Sequence, residues 1–207
     1  METPKLLIDG KLVDGDQTMQ VINPATEEVL SDCPRASVDQ LNKAVAAAKR
    51  AFPKWSKTDI GERRKLIGQI ADVIEANAAS LARTLTQEQG KPLPDAAWEV
   101  GGTAAFFRYF ATLDLSMKVL EDNGERKVEL HRRPLGVIGA IIPWNYPLIL
   151  LACKMPPALL AGNTIVVKPA PDMPPDNATK RDAGSFLWAQ CPIPFSPAET
   201  AVDAAHG

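Results

Sequence analysis

Two polar side chains stand at the ends of two apolar runs, where they could carry chemistry. Asn145 follows the run 137–142 in a Pro-Trp-Asn turn, and Lys168 ends the run that begins at Thr164. An asparagine amide can donate a hydrogen bond to a developing oxyanion, and a lysine ammonium can bind ribose hydroxyls or phosphate. The residues alone leave two interpretations open. Either the two form a ligand site, or Asn145 caps the following helix and Lys168 is a solvated strand end.

The segment between these runs must bring the two side chains together. Its pattern is an apolar run, a turn, a helical stretch over 148–161 broken by two prolines, a Gly-Asn helix end and a second apolar run. This order predicts a βαβ unit with a right-handed crossover, and continuous apolar runs predict strands buried on both faces. Ligands bind beyond the carboxyl ends of such strands. We therefore expect 143–145 and 168–171 to lie on one rim.

The residues before this unit predict two hairpins and four helices. Asp9-Gly10 between short apolar runs is typical of a type I′ hairpin turn. Ser37 and Gln40 form a capping-box pair that begins the first helix, and Pro53 should end it. The apolar face of this helix is expected at Val38, Leu41, Val45, Ala48 and Phe52. Further helices are expected from Asp59, from Asn77 to Gly90 and from Asp95 to Leu113. The second hairpin is expected at 117–133.

Composition and charge exclude several classes of protein. A net charge of −2 does not resemble the basic footprint of a nucleic-acid-binding domain. The longest apolar stretch, 146–152, is far shorter than the ~20 residues of a membrane span, and the N-terminal residues show no signal-peptide pattern. The three cysteines have long spacings that argue against a disulfide framework or a zinc site, and Cys153 is expected in the core. We expect a cytoplasmic protein with no nucleic-acid, membrane or metal partner.

The run GVIGAIIPWNYPLILLACKMPPALLAGNTIVVKPAPDMP closely resembles the NAD(P)-dependent aldehyde dehydrogenase superfamily. The segments INPATEEVL and ERRKLIGQIADVIEANAASLARTLTQEQGKP agree, so that the resemblance covers about residues 5–174. It implies an α/β fold: an incomplete Rossmann-like cofactor-binding domain with an N-terminal β-hairpin, a helical segment and a protruding oligomerisation hairpin at 117–133. The predicted domains are 1–174, the N-terminal part of that domain, and 175–207, an irregular proline-rich tail.

The resemblance also implies roles for individual residues. Asn145 corresponds to the family's oxyanion-stabilising asparagine, and Lys168 corresponds to the lysine that holds the adenosine ribose of NAD or NADP. Many NAD-preferring members carry a glutamate three residues after that lysine, where this chain has Pro171, so the choice between the two cofactors stays open. The remaining cofactor-binding positions implied are Ile141, Ile142, Pro143, Trp144 and Ala170.

The likeness ends after Pro174, and two catalytic groups of the family have no counterpart in the 207 residues. The family's cysteine thiolate attacks the aldehyde in a GQ-x-C context, and a glutamate in an ELGG-type motif activates the water that hydrolyses the thioester. Gln190-Cys191 lacks the glycine and the spacing of the first motif. We therefore expect a truncated aldehyde dehydrogenase-like protein that is inactive by itself. The alternative is a non-catalytic interaction protein that forms homo- or hetero-oligomers with a full-length homologue through 117–133.

Overall fold

The structure, a computed structural model, describes residues 4–170. Pro171, Cys191 and the predicted tail at 175–207 lie outside the described residues. The strands are β1 (Leu6–Ile8), β2 (Lys11–Val13), β3 (Gln17–Ile22), β4 (Val29–Arg35), β5 (Lys118–Asp122), β6 (Lys127–Leu130), β7 (Val137–Ile141) and β8 (Thr164–Lys168). The helices are α1 (Val38–Trp55), α2 (Ile60–Ala76), α3 (Ala78–Gln89), α4 (Leu93–Thr112), α5 (Pro147–Ala152) and α6 (Met155–Leu160).

The strands pair two by two. β1–β2, β3–β4 and β5–β6 are antiparallel, and β7–β8 is parallel, as the βαβ pattern predicted. The β1–β2 turn has positive φ at both Asp9 and Gly10, which confirms the type I′ prediction. The prediction that β7 is buried on both faces is wrong, because Ala140 is buried whereas Ile141 is 69% exposed. The reason is that the helices packed against the pair, α1, α5 and α6, leave the side chain of Ile141 uncovered at the end of β7.

The main hydrophobic core lies between the helices. α2 and α3 pack against α4, and α5 and α6 pack against the same helix from the strand side. Gly102 of α4 allows the close approach of α5, since a Cβ atom there would stand 3.1 Å from Cδ1 of Ile149. Within residues 4–170, none of the helices has the length and apolar character needed to cross a membrane. The largest side chains buried in this core include Ile67, Ile74, Leu81, Leu85, Val100, Phe107 and Leu160.

Helix ends follow the predicted caps with two exceptions. The capping box of Ser37 and Gln40 is present, and Gly90 ends α3 in the left-handed conformation. α1 continues through Pro53 to Trp55, because a proline in the last turn removes only one backbone hydrogen bond. α4 begins two residues before Asp95, since a proline is tolerated in a first turn whose N–H groups have no helical partner.

The first three positions of the predicted apolar face of α1 are exposed, whereas Ala48 and Phe52 are half-buried. Val38, Leu41 and Val45 are 73%, 48% and 40% exposed, and the face that packs instead contains Gln40 and Ala47. The Gln40 amide determines this orientation, because it holds the linker between β2 and β3. Its Oε1 accepts from the N–H of Asp16 at 3.0 Å, and its Nε2 donates to the carbonyl of Asp14 at 2.7 Å.

An exposed ion-pair cluster joins α2 to α4. Arg108 on α4 donates from Nε to Glu75 Oε1 at 2.9 Å and from Nη2 to Asp72 Oδ1 at 2.8 Å. The side-chain hydrogen bonds from Arg108 lower the pKa of Glu75 below its ordinary value. A carboxyl group whose pKa is lowered by folding stabilises the protein above its ordinary pKa. That stabilisation is lost as the pH falls through the lowered value.

We expect Glu75→Gln to make the stability of the protein less dependent on acid pH. In the unchanged chain, the Glu75 contribution should decline below pH of about 4.5, the ordinary glutamate value. The measurement is the free energy of unfolding in urea at a series of pH values between about 7 and 3. Glu125→Gln in the exposed hairpin turn is the control and should keep the original slope. Identical slopes for the unchanged chain and E75Q would contradict the expectation.

Candidate functional site

The carboxyl ends of β7 and β8 lie side by side and carry the predicted site residues. Ile141 pairs with Lys168 in the parallel ladder, and the N–H of Ile142 donates to the carbonyl of Lys168 at 2.9 Å. The chain then leaves the sheet through 143–145. The structure therefore brings Asn145 and Lys168 to the same edge of the strand pair.

This edge has an open apolar wall beside a lysine. Ile141 and Trp144 are 69% and 59% exposed, while Ile142 is buried behind them. Lys168 is half-buried, and its Nζ donates to the carbonyl of the next residue, Pro169, at 3.4 Å. Ala170 is half-buried at the end of the described residues. An exposed apolar surface beside a cation suits a ligand that combines a ring with ribose or phosphate.

The start of α5 is capped by α4 and not by Asn145. Tyr146 is the N-cap residue and makes no side-chain capping bond. Instead, Oε1 of Glu99 accepts the N–H of Leu148 at 2.9 Å, which satisfies one of the free donors of the first turn. The interpretation that Asn145 caps this helix is therefore wrong. Its side chain is exposed, so the amide is available to a ligand.

A buried ion pair holds the backbone of the Pro-Trp-Asn turn. Glu99 is fully buried, and its Oε2 pairs with the ammonium of Lys91, whose side chain is 12% exposed. The same ammonium donates to the carbonyl of Asn145 at 2.8 Å and lies 4.0 Å from the ring centroid of Tyr146. Gln89, two residues before Lys91, donates from Nε2 to the carbonyl of Trp144. The last residue of α3 and the loop that follows it therefore fix two consecutive carbonyl groups of the turn.

A further lysine contacts the end of β7. Lys154, between α5 and α6, donates from Nζ to the carbonyl of Ile141. The neighbouring Cys153 is exposed, so its expected place in the core is wrong: it follows the last residue of α5, at a helix end that turns it outward. Because Glu99 compensates the charge of Lys91, the positive charge of this edge comes from Lys154 and Lys168, and it suits an anionic ligand. In the part of the chain that the structure describes, no three His, Cys, Asp or Glu side chains meet where they could hold a metal ion.

The residues that position the turn were not found from the sequence. Gln89, Lys91, Glu99 and Lys154 all reach it through contacts with backbone carbonyls or N–H groups. One signal for Glu99 was present, since it is a charged residue at helical spacing among apolar side chains of α4 that are buried. Charged groups are rarely buried without a partner, so this position predicts a hidden ion pair.

We expect Glu99→Gln to destabilise the protein by about 3 kcal/mol, because it leaves Lys91 as a nearly buried charge without its counter-ion. Urea unfolding followed by circular dichroism measures the change. Glu62→Gln is the matched control on α2, where an exposed carboxylate lies 3.8 Å from Lys65. It should cost less than about 0.5 kcal/mol. Equal losses in the free energy of unfolding for the two substitutions would show that the buried pair contributes no more to stability than the exposed one.

Comparison with known sequences identifies one family. The profile of the aldehyde dehydrogenase family matches residues 12–178. The chain is 38% identical over 171 residues to the mitochondrial succinate-semialdehyde dehydrogenase of Arabidopsis thaliana, an alignment that covers 79% of this chain and 32% of that protein. It is 39% identical over 184 residues to phenylacetaldehyde dehydrogenase of Pseudomonas fluorescens, covering 82% and 36%. The chain thus spans about a third of the length of the curated relatives it matches.

Solved structures agree with this result. An aldehyde dehydrogenase of Brucella melitensis biovar abortus 2308 superposes with a TM-score of 0.77 at 34% identity, over 81% of this chain and 36% of that one. PnpE in complex with nicotinamide adenine dinucleotide superposes with a TM-score of 0.75 at 38% identity, over 81% of this chain and 36% of that one. An NADP dependent enzyme of E. coli superposes with a TM-score of 0.76 at 32% identity, again over 81% of this chain and 36% of that one. These matches confirm the predicted fold class, a partial Rossmann-like α/β domain.

Proposed function

Because the chain belongs to the aldehyde dehydrogenase family, we propose that the edge formed by β7 and β8 is part of an NAD(P) site. The observation that carries the proposal is the parallel register that sets Lys168 opposite Ile141, next to the fixed turn at 143–145. Solved relatives include one in complex with nicotinamide adenine dinucleotide and one titled NADP dependent, so both cofactors remain candidates.

The residues of this edge fit such a cofactor. Lys168 would donate hydrogen bonds from Nζ to the adenosine ribose, after releasing its weak bond to the Pro169 carbonyl. The exposed side chains of Ile141 and Trp144 would cover the apolar surface of the cofactor and exclude water from it. Pro143 would keep the turn open, and Ile142 supports it from the buried side. When bound, NAD(P) supplies the acceptor for a hydride.

Asn145 is proposed as the oxyanion donor. Its backbone is held through its own carbonyl by Lys91 and through the adjacent Trp144 carbonyl by Gln89, and its amide is exposed to the site. A donor that is fixed before the reaction stabilises developing charge without reorganisation, and removal of one such donor typically costs about a hundredfold or more in rate. The substrate class proposed is an aldehyde, by likeness to the family.

The family reaction also needs a nucleophile and a general base, and the 207 residues contain neither motif. We therefore propose that this chain alone binds cofactor without oxidising aldehydes. The assay is aldehyde-dependent reduction of NAD(P) by the purified chain. Turnover that survives Cys191→Ala but is lost in Asn145→Ala would overturn this part of the proposal.

We expect Lys168→Met to weaken binding of NAD or NADP about tenfold or more, because hydrogen bonds from a charged donor contribute roughly 1.5–3 kcal/mol. Isothermal titration calorimetry of the 207-residue chain with each nucleotide measures the dissociation constant. Lys43→Met, an exposed lysine on α1, is the matched control and should bind as the unchanged chain does. If K168M bound NAD and NADP with unaltered affinity, Lys168 would not be part of the site.

The hairpin of β5 and β6 favours the second candidate function, a non-catalytic interaction protein. Met117, Val119 and Leu120 are 45%, 48% and 63% exposed, which is unusual for three apolar residues so close together on a free surface. Two-stranded ribbons with unpaired edges also pair readily with other chains. The hairpin could therefore join copies of this chain, or this chain and a full-length homologue, with or without cofactor.

We expect Leu120→Glu to shift the chain from an oligomer to a monomer, since a charge at the most exposed of these three apolar positions opposes burial of the hairpin in an interface. Size-exclusion chromatography with light scattering gives the mass. Leu12→Glu on β2 is the control, since Leu12 is exposed to a similar degree, 67%, outside the hairpin. If the unchanged chain is already monomeric and does not copurify with a tagged full-length homologue, this function is wrong.

A further inference from the structure

A cavity of about 380 Å³ lies at the base of the hairpin, away from the β7–β8 edge. It is bounded by the start of α2, the end of α4, the two segments that lead into and out of the hairpin, and α6. None of the residues 141–145 lines it, and neither does Lys168. Its volume is within the range of small-molecule sites.

The lining of this cavity combines apolar side chains with three arginines. Ile60, Leu113 and Leu160 are among the apolar side chains, and the cations are Arg63, Arg132 and Arg133. Among residues 4–170, no aspartate or glutamate lines it. Three cations without a lining carboxylate are an unusual surface for a protein whose net charge is −2. This combination therefore favours binding of a ligand with an anionic group.

The arginines retain hydrogen-bonding capacity. Arg63 donates from Nη1 to the carbonyls of Ser56 and Thr58 at 3.4 and 2.6 Å, but its buried Nε has no partner among residues 4–170. Arg132 makes one long bond, from Nη1 to the carbonyl of Ser116 at 3.3 Å. Arg133 is exposed, and no ion pair or hydrogen bond of its side chain occurs within the described range. Buried guanidinium donors without acceptors are costly, so an acceptor in the cavity would be favourable.

Asp59 and Asp114, which are adjacent in sequence to lining residues, are already engaged outside the lining. Asp59 accepts the N–H of Gly61 at 2.7 Å, and Asp114 accepts the N–H and hydroxyl of Ser116 and lies 3.6 Å from Arg64. Burial lowers the pKa of Arg63, and the charge of Asp59 opposes this only in part. The positive charge of the cavity is therefore incompletely compensated.

We propose that this cavity binds a small organic carboxylate whose hydrocarbon part packs against the apolar side chains of the lining. Arginine forks bind carboxylates through paired N–H donors, which gives both affinity and orientation. The apolar lining adds about 0.8 kcal/mol for each CH₂ group that it buries, so that a chain of several carbons binds more tightly than a bare anion. The site is independent of the proposed NAD(P) site, because the two share no residue.

The experiment is calorimetric titration of the 207-residue chain with hexanoate, acetate and hexylammonium. Hexanoate should bind saturably and about tenfold or more tightly than acetate, and hexylammonium should not bind. Arg132→Gln combined with Arg133→Gln should weaken hexanoate binding about tenfold or more, and both side chains are exposed, so the fold should persist. Arg83→Gln on α3, outside the cavity, is the control and should bind hexanoate as the unchanged chain does.

Three results would overturn the proposal. They are no saturable binding of hexanoate, equal binding of hexanoate and acetate, and unaltered binding by the double variant with its circular dichroism spectrum unchanged. Lys168→Met separates this site from the proposed NAD(P) site, since it should leave hexanoate affinity unaltered. A loss of hexanoate binding in K168M would instead place the carboxylate at the β7–β8 edge.

Discussion

The carboxylate of Glu99 is removed from solvent inside a mainly apolar helix, and this burial constrains everything around the candidate site. A buried charge must have a counter-ion and must have hydrogen bonds to its remaining lone pairs. Lys91 supplies the first, and the N–H of Leu148 supplies the second. Since Lys91 also binds the carbonyl of Asn145, one electrostatic requirement sets the start of α5 and the backbone of the turn.

The helical core is much larger than the core under the strand pair that carries the candidate site. The large core between α2, α3 and α4 provides rigidity, whereas the core under β7 and β8 has, within the described part of the chain, Ala140, Ile142 and Leu151 as its buried residues. The two cores meet where α5 lies on α4, at the contact that Gly102 permits. A turn supported in this way is held by a scaffold much larger than itself, which is what a pre-organised donor requires.

Local chemistry made much of this fold predictable. Asp9-Gly10, the Ser37 cap and Gly90 act within a few residues, and the structure has each turn or cap as predicted. The βαβ unit was also predictable, because its apolar runs are continuous. The contact of Glu99 with the start of α5 was not, since Leu148 is 49 residues away in sequence and no periodicity encodes it. The exposed stripe that begins at Val38 was misjudged for the same reason, as a distant linker decides which face of α1 packs.

The separation in sequence of these contacts implies an order of events. Lys91 and Glu99 are 8 residues apart and can pair as soon as α3 and α4 associate, whereas the bond from Lys91 to Asn145 closes a loop of 54 residues. Closing a long loop carries an entropic cost that local contacts do not. Loop-closure entropy thus favours an order in which the helices assemble first and the turn then docks onto the ion pair. By the same reasoning, we expect opening of this turn to require less free energy than separation of the helices.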